Sequence, residues 1–595
     1  MAGVAGSNPT APKFKVKENK YSLETLRHSA SHVMAYAVQR LFGNVKFAIG
    51  PAIADGFYYD FDLEASIKPE DLKKISEEME KIIREKVPFR QYVMEKDKAI
   101  DFFSTRKQDY KVELIRDIKD KQVSIYELGD FTDLCKGPHI ENSGDLRNFR
   151  LLDLAGAYWR GSEKNKMLQR VYGTAFPTKQ ELHDFIEFRE EAKKRDHRVI
   201  GKHLFSIHPE AGPGLIHWHP DGAALLDTIE NFWKKEHLKN GYLLVRTPHI
   251  ANEELYRISG HLENYADMMY SQMDIEGKPY RVRPMNCPGH IMIYSSRLHS
   301  YREMPVRLAE FGTVYRFEKS GVLHGLLRVR GFTIDDAHIF VPEEQVIDEI
   351  ASVFDFTIKI LSSFGFSDFK IYIATRPEKK FVGDIKSWEI AEESLKKAVE
   401  KKKISYEIDA GGGAFYGPKI DVKIKDALGR LWQCSTIQFD FNLPERFSIF
   451  YIAGDGSKKT PFMIHRAIFG SLERFTGMLL EHYKANFPLW LSPQQVRVLT
   501  ISEKHIDFAR DVFEKLKAAD IRVTSDFRNL TLNKKIREAL NEHVPYLGII
   551  GDSEVKNKNI ALRSRKENTG TFSVDALIEK IRAEQEISAG GPCKR

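Results

Sequence analysis

Apolar residues recur at three- and four-residue spacing in LETLRHSASHVMAYAVQRLF, which predicts a helix with His28 and His32 one turn apart. The next segment, KFAIGPAIADGFYYDFDL, predicts two short strands around a Gly/Pro turn. LKKISEEMEKIIREK carries one apolar stripe and predicts an amphipathic helix. Thr178 with Glu181 has the pattern of a capping box. The segment that follows it, ELHDFIEFREEAKKRDHRVIGK, becomes steadily more polar, as expected of a long solvated helix between domains. From about Leu204 to Leu489 the pattern turns strand-rich, with GYLLVRTP, LWQCSTIQFDFN and SIFYIAG as predicted strands. Beyond WLSPQQ, strand patterns (VRVLTI, IRVTSDF, YLGIIG, IALRSR) alternate with helical ones (HIDFARDVFEKLKAA, KKIREALNEH), which predicts a compact α/β domain.

Length and composition narrow the class. A chain of 595 residues is too long for one core and predicts about three or four domains. It is 42% hydrophobic and 29% charged, as in ordinary globular proteins, and no apolar run is long enough to span a bilayer. The start, MAGVAGSNPTAPKFKVKENK, has no compact apolar region; it reads as a flexible tail or a cloning remnant rather than a signal peptide. Four cysteines (Cys135, Cys287, Cys434, Cys593) make no disulfide framework, and a reducing cytoplasm fits them. The net charge of +7 permits a nucleic-acid partner without demanding one. Residues 491–595 hold 19 Lys and Arg against 15 Asp and Glu, so a polyanion fits there best.

The chemistry concentrates in one stretch and its distant echo. MNCPGH places Cys287; YRFEKSGVLHGLLRVRGFTIDDAHIF places Arg316, Glu318, Arg328 and His338; FMIHRAIFGSLERF places His465 and Arg474. A thiolate and two imidazoles suit zinc with an open fourth position. The three lie far apart in sequence, so spacing alone does not separate a metal site from three buried residues. Arg316, Arg328, Arg330 and Arg474 suit phosphates. There is no Walker A pattern. GDGSKKT at 454–460 has the wrong spacing and reads as a surface turn, and GGGAFYGPK at 411–419 lacks a strand-turn-helix setting. If ATP is the ligand, guanidinium groups over a sheet would therefore hold it, not a glycine cradle at a helix end.

These motifs resemble the threonyl-tRNA synthetases, a family of class II aminoacyl-tRNA synthetases. The strings MNCPGH, SGVLHGLLRVRGFT-x-DDAHIF, GAFYGPKID, WQCSTIQFDF and MIHRAIFGSLERF carry the resemblance. HSASH, DLCKGPH and AGAYWRG resemble its editing domain, and together the motifs cover about residues 20 to 580. The resemblance implies an α+β multidomain chain. Its parts are a tail over 1–18, an α+β editing domain over 19–178, a linker helix over 179–197, a class II antiparallel-sheet catalytic core over 198–489 and an α/β anticodon-binding domain over 490–595. It implies a cytoplasmic homodimer, with Pro248 in motif 1 at the interface and no membrane association. The implied activity is ATP- and Mg2+-dependent attachment of L-threonine to tRNA(Thr) through threonyl-adenylate, followed by hydrolysis of mischarged seryl-tRNA(Thr).

Site roles follow by the same match. Cys287, His338 and His465 would hold one zinc per subunit, which threonine chelates through its amino and hydroxyl groups, and Asp336 would accept the hydroxyl's hydrogen bond. Valine lacks that hydroxyl, and a site built for it rejects such an analogue by roughly 10⁴–10⁵. Arg316 would hold the α-phosphate and the substrate carboxylate, Glu318 the adenine edge and Arg328 the γ-phosphate, with Phe332 and Arg474 on the two faces of the base. Tyr416, Lys419, Gln433 and Gln438 would line the amino acid and adenylate pocket. Serine differs from threonine by one methyl, about 1–3 kcal/mol, which is too little for accurate translation. A second, hydrolytic site is therefore expected. From the residues alone, His28, His32, Cys135 and His139 could bind zinc or belong to a solvated face. In the family the matched site is taken to work without metal, with His28 and Lys111 activating water and with His32, Asp133, Cys135 and His139 beside them. Asn529, Glu554 and Arg563 match positions that touch anticodon bases.

Two departures stand out. The family usually has Gln where this chain has Ile334, two residues before Asp336, so altered affinity for threonine is expected. Bacterial members usually carry a small ubiquitin-like domain ahead of the editing domain; about 20 residues precede Tyr21 here, so weaker tRNA grip or altered editing is expected. Two other readings compete: a vestigial RNA-binding regulator, and a class II enzyme for serine or proline. Amino acid–dependent ATP–pyrophosphate exchange separates them.

Overall fold

Helix Leu23–Phe42 opens the molecule as the periodicity predicts, with the Ser22 hydroxyl accepting the Thr25 amide at 3.0 Å. The computed structural model describes residues 20–379 and 381–590, so the tail expected over 1–18 lies outside the described residues. The chain divides between Glu191 and Ala192 into two compact units.

In the unit ending at Glu191, this helix packs Leu26, Val33 and Met34 against Phe57, Phe61 and Met79. The segment expected to hold two strands holds three: Lys46–Phe47, Ala52–Ile53 and Gly56–Asp62. Gly56–Asp62 pairs antiparallel with Met167–Phe176, and that strand pairs with Asn148–Tyr158. A separate antiparallel sheet, Phe89–Glu95, Gln122–Leu128 and Phe131–Leu134, carries helices Lys96–Thr105 and Asp109–Asp117. The capping box at Thr178 forms: its amide donates to Glu181 Oε2 at 3.0 Å, and the Glu181 amide to Thr178 Oγ1 at 3.2 Å. The helix it starts, Lys179–Lys194, stops short of 197. Asp196 interrupts it because its carboxylate accepts the Arg198 amide at 2.9 Å and begins a new short helix, His197–Ile200.

The unit from Ala192 is built on an eight-stranded sheet. Its order is Leu243–Leu244, Val306–Tyr315, Gly331–Val341, Phe462–Ser471, Leu431–Asp440, Lys419–Lys425, Phe369–Ala374 and Glu407–Asp409. The six central strands are antiparallel, and only the two edge strands pair in parallel. Helices Pro220–Lys239, Val346–Ser363, Ile385–Lys401 and Leu472–Tyr483 cover one face, burying Trp233, Trp388, Trp432 and Phe475. GYLLVRTP makes a shorter strand than its pattern predicts. After Val245 donates to Ala309, the Glu310 carboxylate captures the Thr247 amide (3.0 Å) and hydroxyl (2.6 Å), and Pro248 has no amide to offer. SIFYIAG pairs only at Tyr451–Ile452, and GDGSKKT leads into its hairpin partner Lys458–Lys459.

The C-terminal part of this unit holds a mixed five-stranded sheet in the order Val523–Asp526, Val496–Thr500, Tyr546–Ile550, Ile560–Ser564, Asn568–Phe572. The first three strands are parallel, and helices Ile506–Ala518, Leu532–Asn541 and Val574–Gly590 complete the predicted α/β pattern. Among the described residues no helix is long and apolar enough to cross a membrane.

Candidate functional site

Strand Gly331–Val341 builds the site by its two-residue period: Phe332, Ile334, Asp336 and His338 project to one face. The antiparallel register sets His338 opposite His465, and His465 opposite Gln438. His338 Nε2 and His465 Nδ1 face each other at 3.0 Å, and Cys287 Sγ, at the start of helix Cys287–Ser295, completes a buried trio whose donor atoms lie within 4.8 Å. The remaining ring nitrogens are held from outside: His465 Nε2 meets Asp440 Oδ2 at 2.7 Å, and His338 Nδ1 meets His290 Nδ1 at 2.8 Å. A carboxylate behind an imidazole is how metal-ligating histidines are oriented. Burial drives the His338 imidazole well below its usual pKa, leaving it the neutral base that a metal needs. The donor set therefore fits zinc. Asp336 adjoins it, buried; Oδ2 accepts from Asn286 Nδ2 at 3.1 Å, and Oδ1 lies 3.8 Å from His338 Nε2 with no hydrogen-bond partner. Tyr416 donates to Gln438 Oε1 at 2.8 Å, its ring 5.2 Å from that of His465. Lys419 Nζ pairs with Asp421 at 2.7 Å, and Gln433 Nε2 is buried without a partner.

Further along the same strand face the chemistry changes. Arg316, Glu318, Arg328, Phe332, Ile334 and Arg474 line one pocket. Arg316 lies 5.0 Å over the Phe332 ring, spends its Nε on the Pro284 carbonyl at 3.3 Å, and keeps a buried Nη2 with no partner. A desolvated guanidinium with an unused donor suits an anion. Arg328 grips Glu318 Oε2 from Nε (3.1 Å) and Nη2 (2.9 Å). Arg474 opens helix Leu472–Tyr483, where the Ser471 hydroxyl accepts its amide at 3.0 Å. Burial brings the Arg474 guanidinium down to about 10, so it stays charged at neutral pH.

Asp335 and Glu473 shape this pocket, and no motif exposed their role. Between Ile334 and Asp336 the register slips, so that Ile468, Phe469 and Gly470 all face Asp335. Their three amides reach its carboxylate at 2.9, 2.9 and 3.0 Å. Burial raises Asp335 to about 7; with these donors and the Arg466 charge nearby, the ionised form is the one the geometry favours at neutral pH. Glu473 accepts the Thr333 amide on both oxygens (3.1 and 3.0 Å). The available signal was an acidic side chain inside an otherwise apolar strand for Asp335 and in the first turn of a helix for Glu473.

In the other unit a second cluster forms. Cys135 Sγ lies 3.3 Å from His28 Nε2 and 3.2 Å from His139 Nε2, and His32 completes a four-donor group within 4.8 Å. These donor types could also hold a metal ion. Lys111 pairs with Asp133, which accepts Tyr59 OH at 2.6 Å and stands 3.6 Å from His32 Nε2. Tyr59 had no distinguishing sequence signal. Burial lowers the pKa of His28, His32 and His139 and pushes the Cys135 thiol up to about 12, so the cluster is neutral apart from the Lys111–Asp133 pair.

The three C-terminal candidates are not joined to one another by any recorded hydrogen bond among the described residues. Asn529 is exposed after strand Val523–Asp526. Glu554 caps its own helix, accepting the Gly551 amide at 3.0 Å. Arg563 lies within strand Ile560–Ser564 with a buried Nε that has no partner.

Comparison with known proteins agrees with this architecture. Residues 270–483 match the tRNA synthetase class II core domain (G, H, P, S and T). Residues 495–584 match an anticodon binding domain, and residues 123–172 match the threonyl and alanyl tRNA synthetase second additional domain. A threonine–tRNA ligase of Sulfurihydrogenibium sp. is 52% identical over 578 residues, covering 96% of this chain and 90% of its own. A chloroplastic/mitochondrial threonine–tRNA ligase of Arabidopsis thaliana is 49% identical, covering 98% and 90%. A crystal structure described as the RNA binding domain of threonyl-tRNA synthetase from Cryptosporidium parvum superposes with TM-score 0.62 at 39% identity, over 66% of this chain and 98% of that one.

Proposed function

This chain belongs to the threonine–tRNA ligases, class II aminoacyl-tRNA synthetases with an editing domain, and on that premise we propose how its residues divide the work. It joins L-threonine to tRNA(Thr) through threonyl-adenylate, using ATP with Mg2+, and hydrolyses mischarged seryl-tRNA(Thr). We assign editing to 19–178, a linker to 179–197 whose helix ends at Lys194, catalysis to 198–489 and anticodon binding to 490–595.

Cys287, His338 and His465 would hold one zinc per subunit. Zinc, when bound, supplies a Lewis-acid centre for the amino and hydroxyl groups of threonine. Asp336, with its unpartnered Oδ1, accepts the hydroxyl's hydrogen bond; valine has none to give, so the carboxylate stays unsatisfied and valine is rejected. Tyr416, Lys419, Gln433 and Gln438 border the amino acid and its adenylate. Arg316 offers its unused Nη2 to the α-phosphate and the attacking carboxylate, and stabilises the charge that builds as the carboxylate oxygen bonds to phosphorus and pyrophosphate leaves. Glu318 meets the adenine edge, Phe332 and Arg474 sandwich the base, and Arg328 holds the γ-phosphate.

For editing, neutral His28 takes a proton from the hydrolytic water as the water oxygen bonds to the seryl carbonyl carbon, and returns it to the tRNA ribose oxygen that leaves as the ester bond breaks. Lys111, fixed by Asp133 and Tyr59, stabilises the developing oxyanion. Cys135 stays a thiol at neutral pH and serves as neither nucleophile nor base. Asn529, Glu554 and Arg563 face the anticodon. The chain works in the cytoplasm as a homodimer; exposed Leu243, Leu244 and Ile250 flank Pro248 and support an interface there.

The observation that carries this reading is the His338–His465 contact of 3.0 Å beside Cys287 and an unsatisfied Asp336. Threonine-dependent ATP–pyrophosphate exchange is expected to collapse after zinc removal by a strong chelator and to return with added Zn2+. Full exchange in a verified metal-free enzyme overturns the zinc assignment.

A further inference from the structure

Three residues past the end of helix Lys179–Lys194 stands a fully buried histidine that no motif accounts for. His197 begins the short helix His197–Ile200. Its Nδ1 lies 2.7 Å from Glu481 Oε1, and its Nε2 lies 3.0 Å from the amide of Leu326. An amide only donates, so Nε2 must be the acceptor. The ring proton is therefore on Nδ1, and Glu481 sets that tautomer. Glu481 is itself held through its other oxygen by Arg430 Nη2 at 2.6 Å. Asp196, His197 and Glu481 lie close enough to suggest a metal group, but both His197 nitrogens are already committed to hydrogen bonds.

The two partners of His197 belong to different parts of the ATP pocket. Glu481 sits on helix Leu472–Tyr483, whose first turn carries Arg474. Leu326 sits beside Leu327 and Arg328, which line the pocket across from it. The approach is tight: Gly325 has φ +48°, and a Cβ there would come 2.2 Å from His197 Nε2. We propose that His197 is a positioning residue for ATP, tying the loop that carries Arg328 to the helix that carries Arg474. This rests on the assignment of Arg328 and Arg474 to ATP. Without the imidazole, the Leu326 amide loses its buried acceptor and the loop is free to drift from the helix.

Steady-state ATP–pyrophosphate exchange tests this in the full-length enzyme. His197→Phe keeps a ring and removes the acceptor; KM for ATP is expected to rise about 10-fold while KM for threonine changes less than about twofold. His197→Gln places an amide oxygen near the position of Nε2 and is expected to restore most of the ATP affinity. The thermal unfolding transition of the unit from Ala192, compared with that of the unaltered enzyme, reports on whether this unit is folded in each variant. Gly325→Ala perturbs the same contact from the loop and is expected to raise KM for ATP in the same way, even where His197→Phe does not fold. If both KM values and kcat shift together in a variant with an unaltered unfolding transition, if KM for ATP stays unchanged, or if Gln is as impaired as Phe, His197 is structural only. Arg328→Ala separates the premises. No change in KM for ATP there overturns the ATP assignment itself, whereas a rise there with none in His197→Phe and Gly325→Ala overturns only the role of His197.

Discussion

Ile334 sits between the Phe332 ring and the Asp336 carboxylate on one strand face, packed with Val314, Val329 and Ala467 and lining the pocket shared by Arg316, Arg328 and Arg474. An apolar side chain at that point offers substrate no hydrogen bond, where an amide would reach toward the junction of amino acid and nucleotide. Ile334→Gln is expected to change KM for threonine in ATP–pyrophosphate exchange; an unchanged constant removes this side chain from the amino acid pocket. Residue identities were the most legible level. Cys287, His338 and His465 stood out as a soft-metal donor set only through the motifs around them and the family resemblance, and the structure brings their donor atoms within 4.8 Å. Asp440 and His290, which orient two of those imidazoles, were not legible, because an acidic or imidazole side chain behind a ligand looks like any other polar residue until the strands pair.

Secondary elements were legible where one face is apolar and less so where a side chain replaces a backbone partner. Helix Leu23–Phe42 and the capping box at Thr178 formed as their patterns predict. The break at Asp196 and the early end of the strand after Leu244 did not, because carboxylates took over backbone amides. Asp335 is the strongest case of that substitution. Asp335→Ala is expected to strand three buried amides, each costing about 1–3 kcal/mol, so urea unfolding should show a loss of about 3 kcal/mol or more and KM for ATP should rise with displacement of Ser471 and Arg474. A loss below about 1 kcal/mol means the bulge is held by something else. The His28–His32 helix makes a pH prediction. Burial depresses these imidazoles, so below about pH 6.5 the unfolded chain binds protons that the native one does not, and stability falls as pH falls. For His32 the slope is about 1.4 kcal/mol per pH unit, and hydrogen exchange of that helix between pH 7.5 and 5 should show it. The same slope in His32→Gln would mean the native imidazole is charged.

At the scale of the molecule, the match to the class II core and the match to the second additional domain fall in separate compact units, with His28 and Lys111 in one and Cys287, His338, His465 and Arg316 in the other. His28→Ala is expected to leave aminoacylation with threonine intact and to let seryl-tRNA(Thr) accumulate; a normal deacylation rate in that variant removes His28 from the mechanism. The family was determined by the motifs the sequence carries, and most helix positions by its short-range periodicity, because both are local properties of the chain. The tertiary structure alone decided three things. It set the register that faces His338 with His465, the three-amide bulge that Asp335 holds, and the bridge from His197 to residues 129 and 284 positions away. Each joins residues whose pairing depends on how strands and helices stack, and hydrogen bonds across such separations leave no periodic mark on the chain.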